Sequence, residues 1–225
     1  MINQFDAILY INLEHRVDRK ESILENLRKV GANPHKIFRI DAHLDVLNGH
    51  RGCATSHIKA LDFAISQGFE TVLILEDDFI FTQPLEVVNQ YIKPFFTDID
   101  WDVFFLSSKV KSYEATAYKD IHRVLYACTA HSYAICNHYI PKLKALLQLA
   151  LKNMEEDVFF FQTNEALHSF DRLWHTLMEQ DRWYIGSQSI GTQMHSFSDI
   201  MHDSGVHIIP QTYLFDPDGQ LVIRL

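Results

Sequence analysis

Apolar residues follow two alternating patterns along the chain, and these patterns predict a series of strands and helices. Continuous apolar runs at 7–13 and 71–75 are typical of strands buried on both faces of a sheet, and residues 101–108 predict another strand. In residues 51–68, apolar positions recur at spacings of three and four, which predicts one apolar helix face. This alternation of strands and helices predicts an α/β fold with a mostly parallel central sheet and helices on both faces.

The second half of the chain adds shorter elements. Residues 122–136 predict two strands with a sharp bend, whereas 141–151 and 164–180 predict amphipathic helices. Near the end, the turn sequence D-P-D-G lies between two strand-like runs and predicts a C-terminal hairpin. The sequence has no repeat, low-complexity tract or linker-like stretch, so we expect a single domain over residues 1–225.

Local signals also predict two helix boundaries in the first half of the chain. Asp18 and Glu21 are spaced as in a capping box and predict a helix start, with Gly31 as its stop. The apolar pattern after residue 85 predicts a helix that ends at Pro94, because proline interrupts the backbone hydrogen bonds of a helix.

Composition and charge narrow the range of partners. The formal net charge of −9 disfavours nucleic acids and anionic membranes. Three cysteines without a C-x-x-C pair fit a reducing compartment rather than a disulfide framework. The first residues lack the pattern of a signal peptide, and no apolar run approaches the ~20 residues of a membrane span. We therefore expect a cytoplasmic protein, or a soluble domain of a longer one.

Three adjacent carboxylates, Glu76, Asp77 and Asp78, directly follow the second buried strand. In open α/β sheets, ligands bind beyond the carboxyl ends of the strands, so the position suits a site. Because side chains alternate along a strand, we expect Glu76 and Asp78 on one side and Asp77 on the other. Such oxygen ligands suit Mg²⁺ or Mn²⁺. A solvated acidic turn is the alternative that this pattern leaves open.

Three blocks of residues occur in order within the first 81 positions: "YINLEHRVDR" at 10–19, "GCATSHIKAL" at 52–61 and "VLILEDDFIF" at 72–81. As a set they resemble glycosyltransferase family 25, the lipooligosaccharide galactosyltransferases to which collagen galactosyltransferases are related. The later stretches "FDRLWHTLMEQ" and "GTQMHSFSDI" are more loosely similar to later family elements. Phe170 stands where the family often has a proline, directly before Asp171.

This resemblance implies a GT-A-like fold, a UDP-hexose donor, a divalent cation and inversion at the anomeric carbon. The hexose would be galactose or glucose. The acceptor would be a hydroxyl group of a glycan, as in lipopolysaccharide biosynthesis, or of a hydroxylated protein. An inactive family member that binds a sugar or a protein is the alternative. A sugar nucleotidyltransferase is disfavoured, because "NLEHRVDRK" lacks the glycines of its phosphate-binding loop.

The resemblance also implies roles for individual residues. Glu76, Asp77 and Asp78 would hold Mn²⁺ or Mg²⁺, and His195 or His202 would add a late ligand, of which we favour His195. Inverting transfer needs a general base for the acceptor hydroxyl, and Asp171 would serve as that base. The residues that would contact the donor are Asn12, Arg16, Arg19, Ser56, His57, Gln193 and Asp199.

Two of these residues also have a structural interpretation. His57 falls on the apolar face of its predicted helix, where a histidine is often a hydrogen-bonded core residue. Asp171 lies between Leu167 and Trp174 at the edge of an apolar arc, where a carboxylate is unusual unless it is paired or functional.

Overall fold

The protein is seen in a computed structural model that describes residues 1–156, 169–194, 213–215 and 221–223. Its strands are β1 (Ala7–Asn12), β2 (Ile37–Asp41), β3 (Thr71–Glu76), β4 (Phe79–Phe81), β5 (Val103–Phe105), β6 (Lys109–Ala115), β7 (Ile121–Cys128), β8 (Ser132–Cys136), β9 (Trp183–Gly186), β10 (Gly191–Gln193), β11 (Tyr213–Phe215) and β12 (Leu221–Ile223). Its helices are α1 (Val17–Lys29), α2 (Gly49–Gln67), α3 (Leu85–Thr97), α4 (Ile140–Glu156), α5 (Phe170–Leu173) and α6 (His175–Met178). Across these ranges, no helix combines the length and apolar character needed to cross a membrane.

The large central sheet has the strand order β2-β1-β3-β8-β5-β9-β7-β6. Strand β1 pairs in parallel with both β2 and β3, and β5 pairs in parallel with β9. Strands β8 and β7 run opposite to the others, because each pairs antiparallel with both of its neighbours. Most strands of this sheet therefore share one direction, which confirms the predicted mostly parallel sheet of an α/β fold.

Helices cover both faces of this sheet. One face packs on α2, α4, α5 and α6, and the other packs on α1 and α3. Strand β1 shows the result: Leu9 points into the first core and Ile8 into the second. Every residue of β1 is buried, which explains why its sequence reads as one continuous apolar run.

Some helix boundaries lie where the local sequence signals predict them, and others do not. Helix α2 ends where predicted, since Gly68 adopts the left-handed conformation with φ of +68° that favours glycine. Helix α1 begins at Val17, with Arg16 in the N-cap position, and its start has no side-chain cap hydrogen bond. The predicted capping box at Asp18 is therefore wrong, because Asp18 already lies in the first helical turn.

Pro94 does not end α3, which continues to Thr97, so that prediction is also wrong. The turn beyond the proline is closed by hydrogen bonds from the Asp98 and Ile99 amides to the Pro94 carbonyl, at 2.9 and 3.0 Å. Phe95 is buried and stacks on Phe104 with ring centroids 3.9 Å apart. Tertiary packing thus stabilises the last turn after one backbone bond is lost.

Of two other predictions for the second half of the chain, one is wrong and one is confirmed. Residues 164–180 were expected to form one helix, but the described part contains two short helices, α5 and α6. Strands β11 and β12 pair antiparallel, with Tyr213 opposite Ile223, which confirms the C-terminal hairpin. The turn that joins them lies outside the described residues.

A buried carboxylate, Asp102, anchors the start of β9 to the start of β5. The Arg182 amide donates to Asp102 Oδ2 at 3.0 Å, and the Arg182 guanidinium donates to both carboxylate oxygens. His138 Nε2 lies 2.8 Å from Asp102 Oδ1. Burial raises the pKa of Asp102, but the hydrogen bonds from Arg182 and His138 outweigh burial and hold that pKa below its usual value.

We expect Asp102→Ala to lower the free energy of unfolding by ~3 kcal/mol, because it removes several charge-assisted hydrogen bonds from a buried acid. The folded-state pKa is depressed, so the contribution is complete above the unfolded value of ~3.9 and is lost as pH falls through the folded value. The gap between wild type and variant should therefore narrow below pH ~4 in urea unfolding curves.

Asp100→Ala is the matched control, because Asp100 also pairs with Arg182 but its side chain is 82% exposed. Exposed ion pairs contribute ~1 kcal/mol or less. Equal losses in the two variants would show that burial of Asp102 adds nothing to the network.

Candidate active site

A cleft opens at the carboxyl ends of β1 and β3, the edge where open α/β sheets bind ligands. Counting the part open to solvent, it measures about 740 Å³. Its walls come from β1, α1, the segment after β2, α2, the end of β3 and β10. Segments far apart in the sequence therefore meet at one place.

All three adjacent carboxylates line this cleft. Strand β3 ends at Glu76, and Asp77 and Asp78 form a turn before β4. Strand alternation stops at Glu76: Glu76 contacts His57 of α2, whereas Asp77 and Asp78 both contact Arg19 of α1. The prediction that Asp77 points away from Glu76 agrees with these contacts, but the prediction that Asp78 shares the side of Glu76 is wrong. The turn concentrates three acids at the floor of the cleft.

Asp77 is held on both of its carboxylate oxygens. Asn12 Nδ2 donates to Oδ2 at 2.7 Å, and an Arg19 guanidinium nitrogen lies 2.9 Å from Oδ1. Burial raises the pKa of Asp77 more than these two hydrogen bonds lower it. Asp77 thereby connects the acidic turn to β1 and α1.

Asp78 has one carboxylate oxygen that is less well satisfied. Its Oδ2 lies 3.4 Å from the Arg19 guanidinium, and the Gln193 side chain donates to the carboxylate. Its Oδ1 is buried and has no hydrogen-bond partner within the part of the chain that the structure describes. Burial, with the nearby charge of Glu76, raises the pKa of Asp78 to about 7. A bound cation would stabilise such a carboxylate.

Glu76 points toward α2 and contacts His57. His57 Nε2 lies 3.3 Å from Glu76 Oε1, and His57 Nδ1 lies 3.0 Å from the Tyr133 hydroxyl. Burial raises the pKa of Glu76, but the hydrogen bond and the charge of His57 outweigh it, so the pKa lies below its usual value. His57 is fully buried and hydrogen-bonded, which confirms the structural interpretation of this residue, and it also lines the cleft.

Ser56 uses its hydroxyl within the protein. The oxygen donates to the Gly52 carbonyl at 2.7 Å and accepts from the His43 amide at 2.8 Å. A Cβ at Gly52 would lie 2.7 Å from the His43 carbonyl oxygen, so this close approach requires glycine. These contacts fix the segment after β2 as one wall of the cleft.

The two predicted phosphate-binding arginines take different positions. Arg19 lines the cleft and contacts Asp77 and Asp78. Arg16 pairs with Asp18 at 3.0 Å at the start of α1. The structure therefore brings Arg19, but not Arg16, to the acidic turn.

Asp171 lies at the start of α5 and accepts a hydrogen bond from the Thr129 amide at 3.0 Å. Thr129 has a φ of +79°, a strained conformation for a β-branched residue. Asp171 is not among the described residues that line the cleft, although its charge acts on His50 and Cys53 of α2.

Gln193 reaches the cleft through a small second sheet. Strand β10 pairs antiparallel with β4, which sets Gln193 opposite Phe79. The Met194 amide donates to the Asp78 carbonyl at 2.6 Å. A Cβ at Gly191 would overlap the Phe79 ring, so this pairing requires glycine. The remaining predicted site residues, His195 and Asp199, and the alternative His202 lie outside the described residues.

Cys53 lines the cleft although the sequence argument assigned it no role. Its Sγ lies 3.8 Å from Glu76 Oε1. Its spacing could have identified Cys53 as a cleft residue, because Cys53 lies four positions before His57 and so shares one helix face with it.

The sequence model of glycosyltransferase family 25, described as an LPS biosynthesis protein, matches residues 32–172. This match covers more than half of the chain, and the chain therefore belongs to glycosyltransferase family 25. Its fold is GT-A-like, with a mostly parallel sheet between two layers of helices. Family membership supports glycosyl transfer as the activity.

Solved structures with a related fold are distant in sequence. A197 from STIV is 16% identical with a TM-score of 0.45, over 97% of this chain and 94% of that chain. A glycosyltransferase involved in the glycosylation of the major capsid of PBCV-1 is 12% identical with a TM-score of 0.40, over 80% and 92%. Mannose-1-phosphate geranyltransferase from Thermus thermophilus is 10% identical with a TM-score of 0.44, over 80% and 72%. A search of curated protein sequences finds no significant match.

Proposed function

We propose that this chain is a metal-dependent, inverting glycosyltransferase that moves galactose or glucose from a UDP-sugar to a hydroxyl group. The acceptor is a glycan, as in lipopolysaccharide biosynthesis, or a hydroxylated protein. The observation that carries the proposal is the environment of Asp78. This buried carboxylate lies in the family's acidic motif, with one oxygen unpartnered among the described residues and with a raised pKa.

Asp78 and Glu76 are the proposed direct ligands of Mn²⁺ or Mg²⁺, since both offer hard oxygen atoms at the cleft floor. Asp77 supports them, because its two oxygens hold Asn12 and Arg19 in place. His195 is proposed as a late ligand. When bound, the cation neutralises the donor diphosphate and stabilises the charge on the departing UDP.

The donor is proposed to lie with its diphosphate beside Arg19 and Gln193 and its uracil near the backbone of Leu13. These three residues line the cleft together. Arg16, which pairs with Asp18 at the start of α1, is proposed to contact the donor phosphates from there. Asn12, Ser56 and His57 fix the walls of the site, and Asp199 is proposed to contact the donor sugar.

Asp171 is the proposed general base for the acceptor hydroxyl. Its Oδ2 accepts a hydrogen bond from the Thr129 amide, and its other oxygen is proposed to take the acceptor proton. An inverting reaction requires the base on the side opposite the leaving UDP, so the acceptor is proposed to enter from the α2 side.

Calorimetric titration with UDP, with and without Mn²⁺, tests the proposed donor site. We expect tight binding only with Mn²⁺, because the acids repel the diphosphate until a cation bridges them. Asp78→Asn should lose this metal-dependent binding, whereas Asp62→Asn should keep it, since Asp62 pairs with Lys144 elsewhere on α2. Absence of UDP binding under both conditions would favour the alternative, an inactive member that binds a sugar or a protein.

A further inference from the structure

Cys53, His57 and Glu76 form a second cluster of metal-ligating atoms in the cleft. Cys53 and His57 lie one turn apart on the same face of α2, and Glu76 ends β3 opposite them. Their ligand atoms, one sulfur, one nitrogen and one oxygen, all lie within 4.8 Å of one another. The cluster therefore differs in chemistry from the oxygen atoms of Asp77 and Asp78.

Two distances within this cluster are close to those between the ligands of one metal ion. The His57 Nε2 to Glu76 Oε1 separation of 3.3 Å is longer than the ~2.7–2.9 Å of a charge-assisted hydrogen bond. Around a tetrahedral Zn²⁺ with ordinary bond lengths, nitrogen and oxygen ligands lie ~3.3 Å apart, and sulfur and oxygen ligands ~3.6 Å apart. Two observed separations, 3.3 and 3.8 Å, are close to these values, and the third, between the sulfur and the nitrogen, is within 4.8 Å.

His57 is oriented for this role by its other ring nitrogen. Nδ1 lies 3.0 Å from the Tyr133 hydroxyl, and the Phe170 ring packs beside the imidazole with centroids 5.0 Å apart. Metal-binding histidines commonly donate their second N–H to such a partner, which fixes the ring and the tautomer. Nε2 is thereby directed at Glu76.

We propose that Cys53, His57 and Glu76 form a binding site for a thiophilic divalent cation of the Zn²⁺ class. The three residues line the cleft, so the fourth position of a tetrahedral ion faces the cleft and takes a water molecule. Binding replaces the thiol proton: the S–H bond breaks, a sulfur–metal bond forms, and the proton passes to solvent. This site shares only Glu76 with the proposed site of the donor cation. Where the proposed glycosyltransferase function holds, a thiophilic ion bound here takes the Glu76 carboxylate away from the donor cation.

Co²⁺ is the probe that separates the two kinds of site, because a thiolate bound to Co²⁺ gives sulfur-to-metal charge-transfer absorption in the near ultraviolet. We expect chelator-treated full-length protein to bind one Co²⁺ per chain with this absorption and with the strong visible bands of tetrahedral Co²⁺. Added Zn²⁺ should abolish both signals by displacement. The titration contains no UDP, so its result does not depend on the proposed donor chemistry.

Cys53→Ser should lose the charge-transfer band, whereas Cys136→Ser should keep it. Cys136 is the matched control because it is also partly buried, but it lies at the far end of β8 and donates to the Trp101 carbonyl. Wild-type protein that binds Co²⁺ without thiolate absorption would show that Cys53 is not a ligand and would overturn the proposal. A band that survives in Cys53→Ser would overturn it as well.

Discussion

Replacing Asp78 with Asn is expected to lower the turnover of glycosyl transfer at least ~100-fold without lowering the stability of the fold. The substitution removes the charge that attracts the proposed cation, and loss of one such electrostatic stabiliser typically costs ~10²–10³ in turnover. Because the folded-state pKa of Asp78 is raised to about 7, its ionised form disfavours the folded state at neutral pH. The neutral amide should therefore leave the free energy of unfolding equal or higher.

Initial rates with a UDP-hexose and Mn²⁺ check the expected loss of turnover, and urea unfolding curves check the expected stability. Asp62→Asn makes the same chemical change on an exposed part of α2 and should leave both quantities near wild type. A stable Asp78→Asn protein with wild-type turnover would remove Asp78 from the catalytic site. A variant that loses stability and turnover together would mean that the acidic turn is structural.

Replacing Asp171 with Asn is expected to lower turnover by ~10²–10⁴-fold, the usual contribution of a general base. The amide oxygen of asparagine can still accept the hydrogen bond from the Thr129 amide, so the link between α5 and the turn at Thr129 is preserved. The asparagine amide, however, cannot accept the proton of the acceptor hydroxyl. UDP binding and the melting temperature should therefore match wild type while the rate falls.

Asp171→Ala separates the two roles of this carboxylate. It removes the bond to Thr129, whose left-handed backbone depends on such contacts, so it should lower the melting temperature as well as the rate. If Asp171→Asn kept full activity and only Asp171→Ala lost it, Asp171 would be a positioning residue and the base would have to be sought elsewhere.

The elements that could be predicted from the sequence are those with a uniform pattern of burial or a clear local stop signal. Strands β1 and β3 are buried on both faces and read as continuous apolar runs, and Gly68 ends α2 as its left-handed backbone requires. Strands β4 and β10 were missed, because three residues are too few to show a period. The turn of helix after Pro94 depends on the stacking of Phe95 on Phe104, which no local signal contains.

The location of the site was predictable, whereas its internal arrangement was not. A position at the end of β3 was enough to place Glu76, Asp77 and Asp78 in one cleft, because ligands bind at that edge of the sheet. The direction of Asp78 depends on where β3 stops, and that end is set by the turn that leads to β4. The contact between Cys53 and Glu76 joins a helix to a strand 23 positions later, so only the folded chain shows it.

The pairing of β10 with β4 has a consequence for the order in which the protein is made. Gln193 is synthesised more than one hundred positions after Phe79, and ribosomes complete the N-terminal part of a chain first. The acidic turn therefore leaves the ribosome long before the strand that covers it, and β4 can find its partner only late in translation. A nascent chain carries the acids of the cleft before the wall that Gln193 contributes, so completion of this wall should be among the last steps of folding on the ribosome.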